Sequence, residues 1–356
     1  MRVVCLAGGV GGAKLADGLQ QALAPGELTV VVNTGDDFER HALNVCPDLD
    51  TVLYTLAGIA EPTQGWGIAG ETWQVMGQLG RLGDATWFKL GDRDLATHIF
   101  RTERLRAGAR LTEVEIELAR ALGVPSRVLP MTDAPVRTRV RTADGWLDFQ
   151  DYFVRLNQEP EVLEVDFQGA AKAAIAPEVR EAIRSAEALL VGPSNPVVSI
   201  GPILAVPRIA TEIAAARRRG VPAVGVSGIV GGRALRGPAD RMLASLGEEP
   251  TALGVARRYV AAGLIDVFFL DRQDADLAGP IADLGVETVV TDTIMTDAGS
   301  RALLAREMLA AAAWSGAARS TTRKVVVDRA RESSGPATPP RSAGLDGPEP
   351  SPGMRR

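Results

Sequence analysis

The chain alternates between short runs of consecutive apolar residues and longer segments in which apolar residues recur at helical spacing. Continuous β-branched runs are typical of strands buried on both faces of a parallel sheet. We therefore predict strands at Arg2–Ala7, at Leu28–Asn33 and in the runs that end at Gly192, Ser227, Asp271 and Asp292. The predicted helices are Ala13–Leu23, Pro177–Ala186, Arg208–Arg219, Pro238–Leu246, Leu253–Ala262, Asp274–Leu284 and Arg301–Ala313. This alternation predicts an α/β fold, with a Rossmann-like, mostly parallel sheet and helices on both faces.

Two regions interrupt the alternation. The segment 50–122 is mainly helical in pattern, with one short strand predicted at Trp87–Leu90. The segment 137–154 has alternating apolar positions around an Asp144-Gly145 turn, which predicts a β-hairpin. We interpret both as insertions that cover a ligand site within a single domain spanning residues 1–314.

Composition narrows the classes of protein that fit. Pro, Ser, Gly and Ala dominate residues 315–356, so we predict a disordered tail. The formal net charge of -5 disfavours a nucleic-acid-binding protein, and the apolar runs are too short for a membrane span. The chain begins without the long apolar region of a signal peptide, which predicts a cytoplasmic location. Two cysteines make neither a disulfide framework nor a zinc site.

A glycine cluster, GGVGGAK, follows the first predicted strand and opens the first predicted helix. Glycine allows backbone N–H groups to approach an anion, and the helix N-terminus adds positive potential. Ala13 and Leu15 stand where a P-loop requires glycine and a hydroxyl residue, and Lys14 stands where the dinucleotide fingerprint requires its third glycine. We predict that this turn binds phosphate, but as neither a P-loop nor a standard dinucleotide-binding loop. A tight turn that binds no ligand is the alternative interpretation. The candidate residues are Gly8, Gly9, Val10, Gly11, Gly12 and Lys14.

Carboxylates gather in three short segments after the second predicted strand: Asp36 with Asp37, Asp48 with Asp50, and Asp92 with Asp94. Hard oxygen ligands of this kind suit Mg²⁺ on a diphosphate, with water completing the coordination. Helix capping is the competing interpretation for any single aspartate.

Polar loops also follow the later predicted strands. Ser194 and Asn195 lie after one strand, and Ser227 and Gly231 lie after the next. Ligands of open α/β sheets bind at the carboxyl ends of strands, so these loops predict a long polar ligand such as a nucleotide diphosphate.

Taken together, the sequence strings resemble one family. They are GGVGGAK, VVVNTGDD, PDLDTVLYTLAG, GWGIAGETW, WFKLGDRDLATHIFRTE, LPMTDAPVRT, FQDYFVR, GPSNPVVSIGPILA, GGRALRGPAD and DTIMTD. The chain resembles the 2-phospho-L-lactate transferase (CofD) family of coenzyme F-420 biosynthesis over about residues 2–313. The resemblance implies a transferase of a substituted phosphate group. Its acceptor is the ribityl hydroxyl of the deazaflavin Fo (7,8-didemethyl-8-hydroxy-5-deazariboflavin), and its donor is lactyl- or enolpyruvyl-diphospho-guanosine. Coenzyme F-420-0 or its dehydro form and GMP are the products, Mg²⁺ assists, and a homodimer is expected.

Site residues follow from the same resemblance. Mg²⁺ is expected on Asp36 and Asp50, with Asp37 and Asp48 as further candidate ligands. Asp50, Lys89 and Arg93 are expected to contact Fo, and we hypothesise that Asp50 orients or deprotonates its hydroxyl. Asp36 and Asp50 are therefore the candidate catalytic residues. The glycine cluster and the loops with Ser194, Asn195, Ser227 and Gly231 are expected to hold the guanosine diphosphate.

Two other functions compete. The gluconeogenesis factor-like regulators share the glycine loop and bind nucleotide sugars, but their acid loop differs from the Asn33–Phe38 segment found here. An NAD-dependent oxidoreductase would use the glycine loop and Asp36, but the incomplete dinucleotide fingerprint weighs against it.

Overall fold

The computed structural model describes residues 1–317 and 325–327. One parallel sheet organises the chain, and its strands lie in the spatial order β15-β14-β13-β10-β9-β1-β2-β5. Its strands are β1 (Val3–Ala7), β2 (Leu28–Val32), β5 (Arg127–Pro130), β9 (Ala188–Val191), β10 (Ala223–Val226), β13 (Val267–Asp271), β14 (Glu287–Thr291) and β15 (Val325–Val327). All of its neighbouring pairs are parallel. The predicted Rossmann-like sheet is thus confirmed. The chain order reverses between β1 and β9, which is where such sheets bind their ligands.

Helices cover both faces of the sheet. They are α1 (Gly9–Ala22), α2 (Pro47–Leu56), α3 (Gln74–Arg81), α4 (Asp92–Arg106), α5 (Leu111–Ala121), α6 (Pro177–Ser185), α7 (Ile200–Ala205), α8 (Pro207–Arg218), α9 (Ala239–Ser245), α10 (Ala252–Ala261), α11 (Ala278–Ala282) and α12 (Ala298–Ala317). Alternate residues of β1 pack on opposite faces: Val4 and Leu6 join the core under α6, α8 and α10, while Val3, Cys5 and Ala7 join the core under α1, α2 and α12. No described helix is long and apolar enough to cross a membrane.

The two interrupting regions contain small sheets as well as helices. Helices α2 to α5 lie in the region predicted to be mainly helical. A β-hairpin precedes them, and a three-stranded sheet in the order β7-β6-β8 follows them. These strands are β3 (Phe38–Arg40), β4 (Leu43–Val45), β6 (Arg137–Thr142), β7 (Gly145–Asp148) and β8 (Glu164–Gln168), and one further hairpin, β11 (Ile229–Val230) with β12 (Arg233–Ala234), lies after β10.

Several elements differ from the sequence prediction, and strand β5 was not predicted. Residues 87–90 form no strand; they belong to a loop in which the rings of Trp87 and Phe88 meet edge to face. The predicted hairpin ends at Asp148, and a π-helix at Asp151–Arg155 follows it. The glycine cluster is the first turn of α1 rather than a loop before it. Helix α12 extends to Ala317, past the predicted domain end at 314. Apart from the end of α12 and from β15, the predicted disordered tail lies outside the described residues.

Candidate active site at the strand crossover

A cleft of about 900 Å³ opens at the carboxyl edge of the sheet, above β1 and β9. Residues of both interrupting regions, such as Trp66 and Phe153, line it. Most of the predicted site residues line it: Gly8, Gly9, Val10, Gly11, Lys14, Asp36, Asp48, Asp50, Lys89, Ser194, Asn195 and Ser227. The fold therefore brings together residues that are far apart in the sequence, because parallel strands end at the same edge.

The glycine turn and the loop after β9 are hydrogen-bonded to each other at the base of the cleft. The Gly8 N–H donates to Ser194 Oγ at 3.0 Å, and the Ser194 hydroxyl donates to the Gly8 carbonyl at 2.9 Å. A Cβ on Gly11 would lie 2.3 Å from the Pro193 carbonyl oxygen. The glycines are required here because α1 approaches the second loop at backbone distance.

Asp48 connects the acidic segments to this turn. Its Oδ1 accepts from the Gly9 N–H at 2.8 Å, and its Oδ2 accepts from Asn33 Nδ2 at 2.9 Å. Asn33 in turn orders its own loop, since its Oδ1 accepts from the Gly35 N–H at 2.7 Å. The N-terminus of α2 is therefore held against the N-terminus of α1.

Asp36 is the carboxylate with an uncommitted oxygen in the cleft. Its Oδ1 is buried and has no hydrogen-bond partner among the described residues. Burial, and then the neighbouring charge of Asp48, raise the pKa of Asp36 well above its usual value. Burial also raises the pKa of Asp48, to about 6. A buried, unpartnered carboxylate oxygen beside a second carboxylate is a place where a cation would be stabilised.

Asp50 occupies a different environment, in contact with a buried arginine that the sequence analysis did not single out. Arg101 Nη1 donates to Asp50 Oδ2 at 3.2 Å, and Arg101 Nη2 donates to Asp50 Oδ1. His98 Nδ1 lies 3.7 Å from Asp50 Oδ2, and His98 Nε2 lies 3.3 Å from Asp94 Oδ1. Tyr54 donates its hydroxyl to Asp94 Oδ1 at 2.7 Å. Asp50, Asp94 and His98 also place three potential ligand atoms within 4.8 Å of one another, although Arg101 already supplies a positive charge there.

Aromatic side chains form the opposite wall of the cleft. Trp66, Trp87, Phe88, Phe149 and Phe153 all line it. Phe149 and Phe153 stack at 5.3 Å, whereas Phe88 receives the edge of Phe38 from the β3–β4 hairpin at 4.7 Å. These rings are apolar, so a planar ring system can pack against them.

A lysine lies at the other end of the cleft, near the loop after β14. Lys14 Nζ donates to the Met295 carbonyl at 2.9 Å. Burial lowers the pKa of Lys14, and the positive charges of Arg301 and Arg236 lower it further. Lys14 and Arg236, together with the N–H groups of the glycine turn, make this end suitable for an anion.

Four predicted site residues do not line the cleft. Gly12 packs under Ser194, with an added Cβ 2.5 Å from Ser194 Oγ. Gly231 lies in the β11–β12 turn, and its N–H donates to the carboxylate of Asp274, which follows β13. Asp37 is absent from the cleft lining, and burial raises its pKa to about 8. Arg93 is exposed and donates to the Ala69 carbonyl at 2.7 Å. These four residues do not line the cleft, and their predicted contacts with a ligand stay predictions.

Comparison with known proteins agrees with this geometry. The family model described as 2-phospho-L-lactate transferase CofD matches residues 3–308. The chain is 46% identical over 314 residues to a phosphoenolpyruvate transferase of Streptomyces griseus, covering 87% of this chain and 98% of that protein. It is 39% identical over 294 residues to a 2-phospho-L-lactate transferase of Methanosarcina mazei, covering 83% of this chain and 95% of that protein. A crystal structure of a UPF0052 family protein from Bacillus halodurans matches with a TM-score of 0.57 at 15% identity, covering 86% of this chain and 98% of that one, which shows the fold alone. The chain therefore belongs to the 2-phospho-L-lactate transferase (CofD) family, the transferases of coenzyme F-420 biosynthesis.

Proposed function

We propose that the protein transfers a phosphorylated three-carbon acid from a guanosine diphosphate carrier to the ribityl hydroxyl of Fo. The hydroxyl oxygen forms a bond to the phosphorus that bears the three-carbon acid. The bond from that phosphorus to the GMP oxygen breaks, GMP leaves, and the hydroxyl proton is released. One observation carries the proposal: the glycine turn, the Ser194 loop and the cleft-facing aspartates converge on one cleft whose other wall is aromatic.

The donor is proposed to be the enolpyruvyl form. Relatives named phosphoenolpyruvate transferase reach 46% identity, whereas those named 2-phospho-L-lactate transferase reach 39%. The lactyl donor is the competing substrate in the assay below.

The guanosine diphosphate is proposed to lie over the glycine turn. The N-terminus of α1 and Lys14 both supply positive potential there. Ser194 and Asn195 come from the adjacent strand end, and Ser227 from the next one. The deazaflavin is proposed to pack against the aromatic residues that line the cleft.

Mg²⁺ is proposed to bind at Asp36, with Asp48 as the neighbouring carboxylate. The residues fit a hard cation, because Asp36 lines the cleft and its buried Oδ1 lacks a hydrogen-bond partner among the described residues. When bound, the ion would offset the charge of the diphosphate. Asp37 lies outside the cleft, so it is not proposed as a ligand.

Asp50 is proposed to accept the hydrogen bond of the attacking hydroxyl, and Lys89 to lie at the Fo end of the cleft. Both line the cleft. In-line phosphoryl transfer depends mainly on positioning and on charge compensation, so a fixed carboxylate beside the hydroxyl is the kind of group required.

The decisive assay incubates the full chain with Fo, Mg²⁺ and either the enolpyruvyl or the lactyl donor, and weighs the products by mass spectrometry. We expect the Fo phosphodiester and GMP, with faster turnover of the enolpyruvyl donor. Asp50→Asn should lower kcat by about 100-fold or more. Asp283→Asn, an exposed aspartate after α11, is the matched control and should retain wild-type kcat. No phosphodiester with either donor, or binding of a nucleotide sugar without binding of Fo, would refute the proposal.

The protein is further proposed to act in the cytoplasm and, as the resemblance implies, as a homodimer. Light scattering on the purified chain tests the second point: a mass near 37.5 kDa would indicate a monomer and contradict it.

A further inference from the structure

A buried charge cluster lies directly behind the cleft and joins three helices of the helical insertion. Arg101 of α4 lies between Asp50 of α2 and Glu115 of α5. Arg101 and Glu115 are each 0% exposed, and Asp50 is 5% exposed. Of the three side chains only Asp50 lines the cleft, so the other two act on a ligand only through it.

The contacts fix the plane of the Asp50 carboxylate. Two nitrogens of the Arg101 guanidinium donate to the two oxygens of Asp50, which is the bidentate arrangement. The third nitrogen, Nε, donates to Glu115 Oε1 at 2.9 Å. A carboxylate offers about four lone-pair directions, so this grip leaves Asp50 able to accept further hydrogen bonds.

Glu115 explains why the guanidinium holds this position. A planar guanidinium bonded on two edges cannot rotate about its side-chain axis without breaking a bond. Arg101 Nη1 also lies 3.3 Å from His98 Nδ1, which limits movement toward the cleft. The positive charge of Arg101 thus compensates the negative charges of two buried carboxylates. Glu115, which does not line the cleft, holds the guanidinium in place.

We propose that Arg101, anchored by Glu115, is a positioning residue that holds Asp50 in its reactive orientation. The inference rests on the proposed function, because it concerns how Asp50 meets the acceptor hydroxyl. The two residues act before substrate binds, so the carboxylate need not reorganise when the hydroxyl arrives.

The experiment compares Arg101→Lys and Glu115→Gln with Arg104→Lys, an exposed control on the same helix. Lysine keeps the positive charge and loses the fork, and glutamine keeps the shape of Glu115 and loses its charge. We expect Arg101→Lys to lower kcat about tenfold or more, with the KM for the donor within about twofold of wild type. Glu115→Gln should lower kcat by about threefold to tenfold, and Arg104→Lys should leave kcat unchanged.

A double-mutant cycle separates positioning from a merely structural role. If Arg101 acts through Asp50, then Arg101→Lys introduced into Asp50→Asn should change the residual kcat by no more than about twofold. Additive losses, or an unchanged kcat in either single variant, would overturn the inference. Circular dichroism checks folding, and Glu115→Gln carries the test if Arg101→Lys does not fold. A wild-type chain that yields no phosphodiester would instead overturn the proposed function, and this role of Arg101 with it.

Discussion

Replacing Gly11 with alanine tests whether glycine is required there because the backbones of α1 and of the loop after β9 approach each other closely. The added Cβ would lie 2.3 Å from the Pro193 carbonyl oxygen and 3.3 Å from its carbon. Favourable contact between non-bonded heavy atoms needs about 3.5 Å, so the two backbones must separate by about 1 Å. Because both contacting atoms of Pro193 belong to the backbone, the loop after β9 has to move.

The expected free-energy change follows from three contributions. Overpacking costs about 1–3 kcal/mol. The two hydrogen bonds between Ser194 and Gly8 contribute about 1 kcal/mol each and are weakened when the loop moves. Alanine favours the helix over glycine by about 1 kcal/mol, which offsets part of the loss. The net expectation for Gly11→Ala is a loss of about 2 kcal/mol in the free energy of unfolding.

Urea denaturation measures this loss, and calorimetric titration with GDP measures its effect on binding. We expect GDP to bind about tenfold more weakly to Gly11→Ala, since the N–H groups that face the anion move with the loop. Gly279→Ala is the matched control: it lies in α11 and its Cβ would meet no atom within 4 Å. A Gly11→Ala variant with wild-type stability and wild-type GDP affinity would refute the reasoning.

Three further predictions concern positions around this site. Asn33→Asp replaces the amide that donates to Asp48 with a second buried carboxylate, so we expect a loss of about 2–4 kcal/mol in urea denaturation, and an unchanged midpoint would contradict it. Gly18→Ala would place a Cβ 2.1 Å from the Arg301 carbonyl oxygen of α12, so the thermal midpoint should fall despite the better helix propensity of alanine; a rise would show that the two helices can separate freely. Burial raises the pKa of Cys5 to about 12, so its thiol should not react with an aromatic disulfide reagent until the chain unfolds, and rapid labelling of the native chain would count against the burial.

Hydrophobic pattern predicted six of the eight described strands of the central sheet, because those strands are buried on both faces, whereas β5 and β15 were not predicted. Runs such as Leu28–Val32 and Val267–Asp271 have no polar face, and their boundaries were predicted within a residue or two. Strand β8, Glu164–Gln168, alternates between exposed and half-buried positions on a peripheral sheet and was not predicted. Its place is determined by pairing with β6, which is a contact distant in sequence.

The sequence predicted the acidic site residues that follow the strand ends. It did not predict a residue that enters the site only through its contact with a distant element. Asp36, Asp48 and Asp50 were expected together, and they line one cleft. Asp92 was expected with them, but it accepts from the N–H groups of Gln74 and Val75 at the start of α3, so helix capping explains it. Arg101 contacts Asp50 across 51 residues of sequence, and an arginine in a charged helix carries no local sign of its burial.

The hydrogen bonds around the cleft form two separate units, one centred on Asp48 and one centred on Asp50. Asp48 is bonded to Gly9 and to Asn33, so this aspartate and the anion cradle move together. Asp50 belongs to the same helix as Asp48, but its carboxylate is held from the opposite side by Arg101. Disturbing the first unit should therefore weaken donor binding, whereas disturbing the second should slow the transfer step with donor affinity intact. A variant of Arg101 that weakened donor binding as strongly as Gly11→Ala would show that the cleft responds as one unit and that this division is wrong.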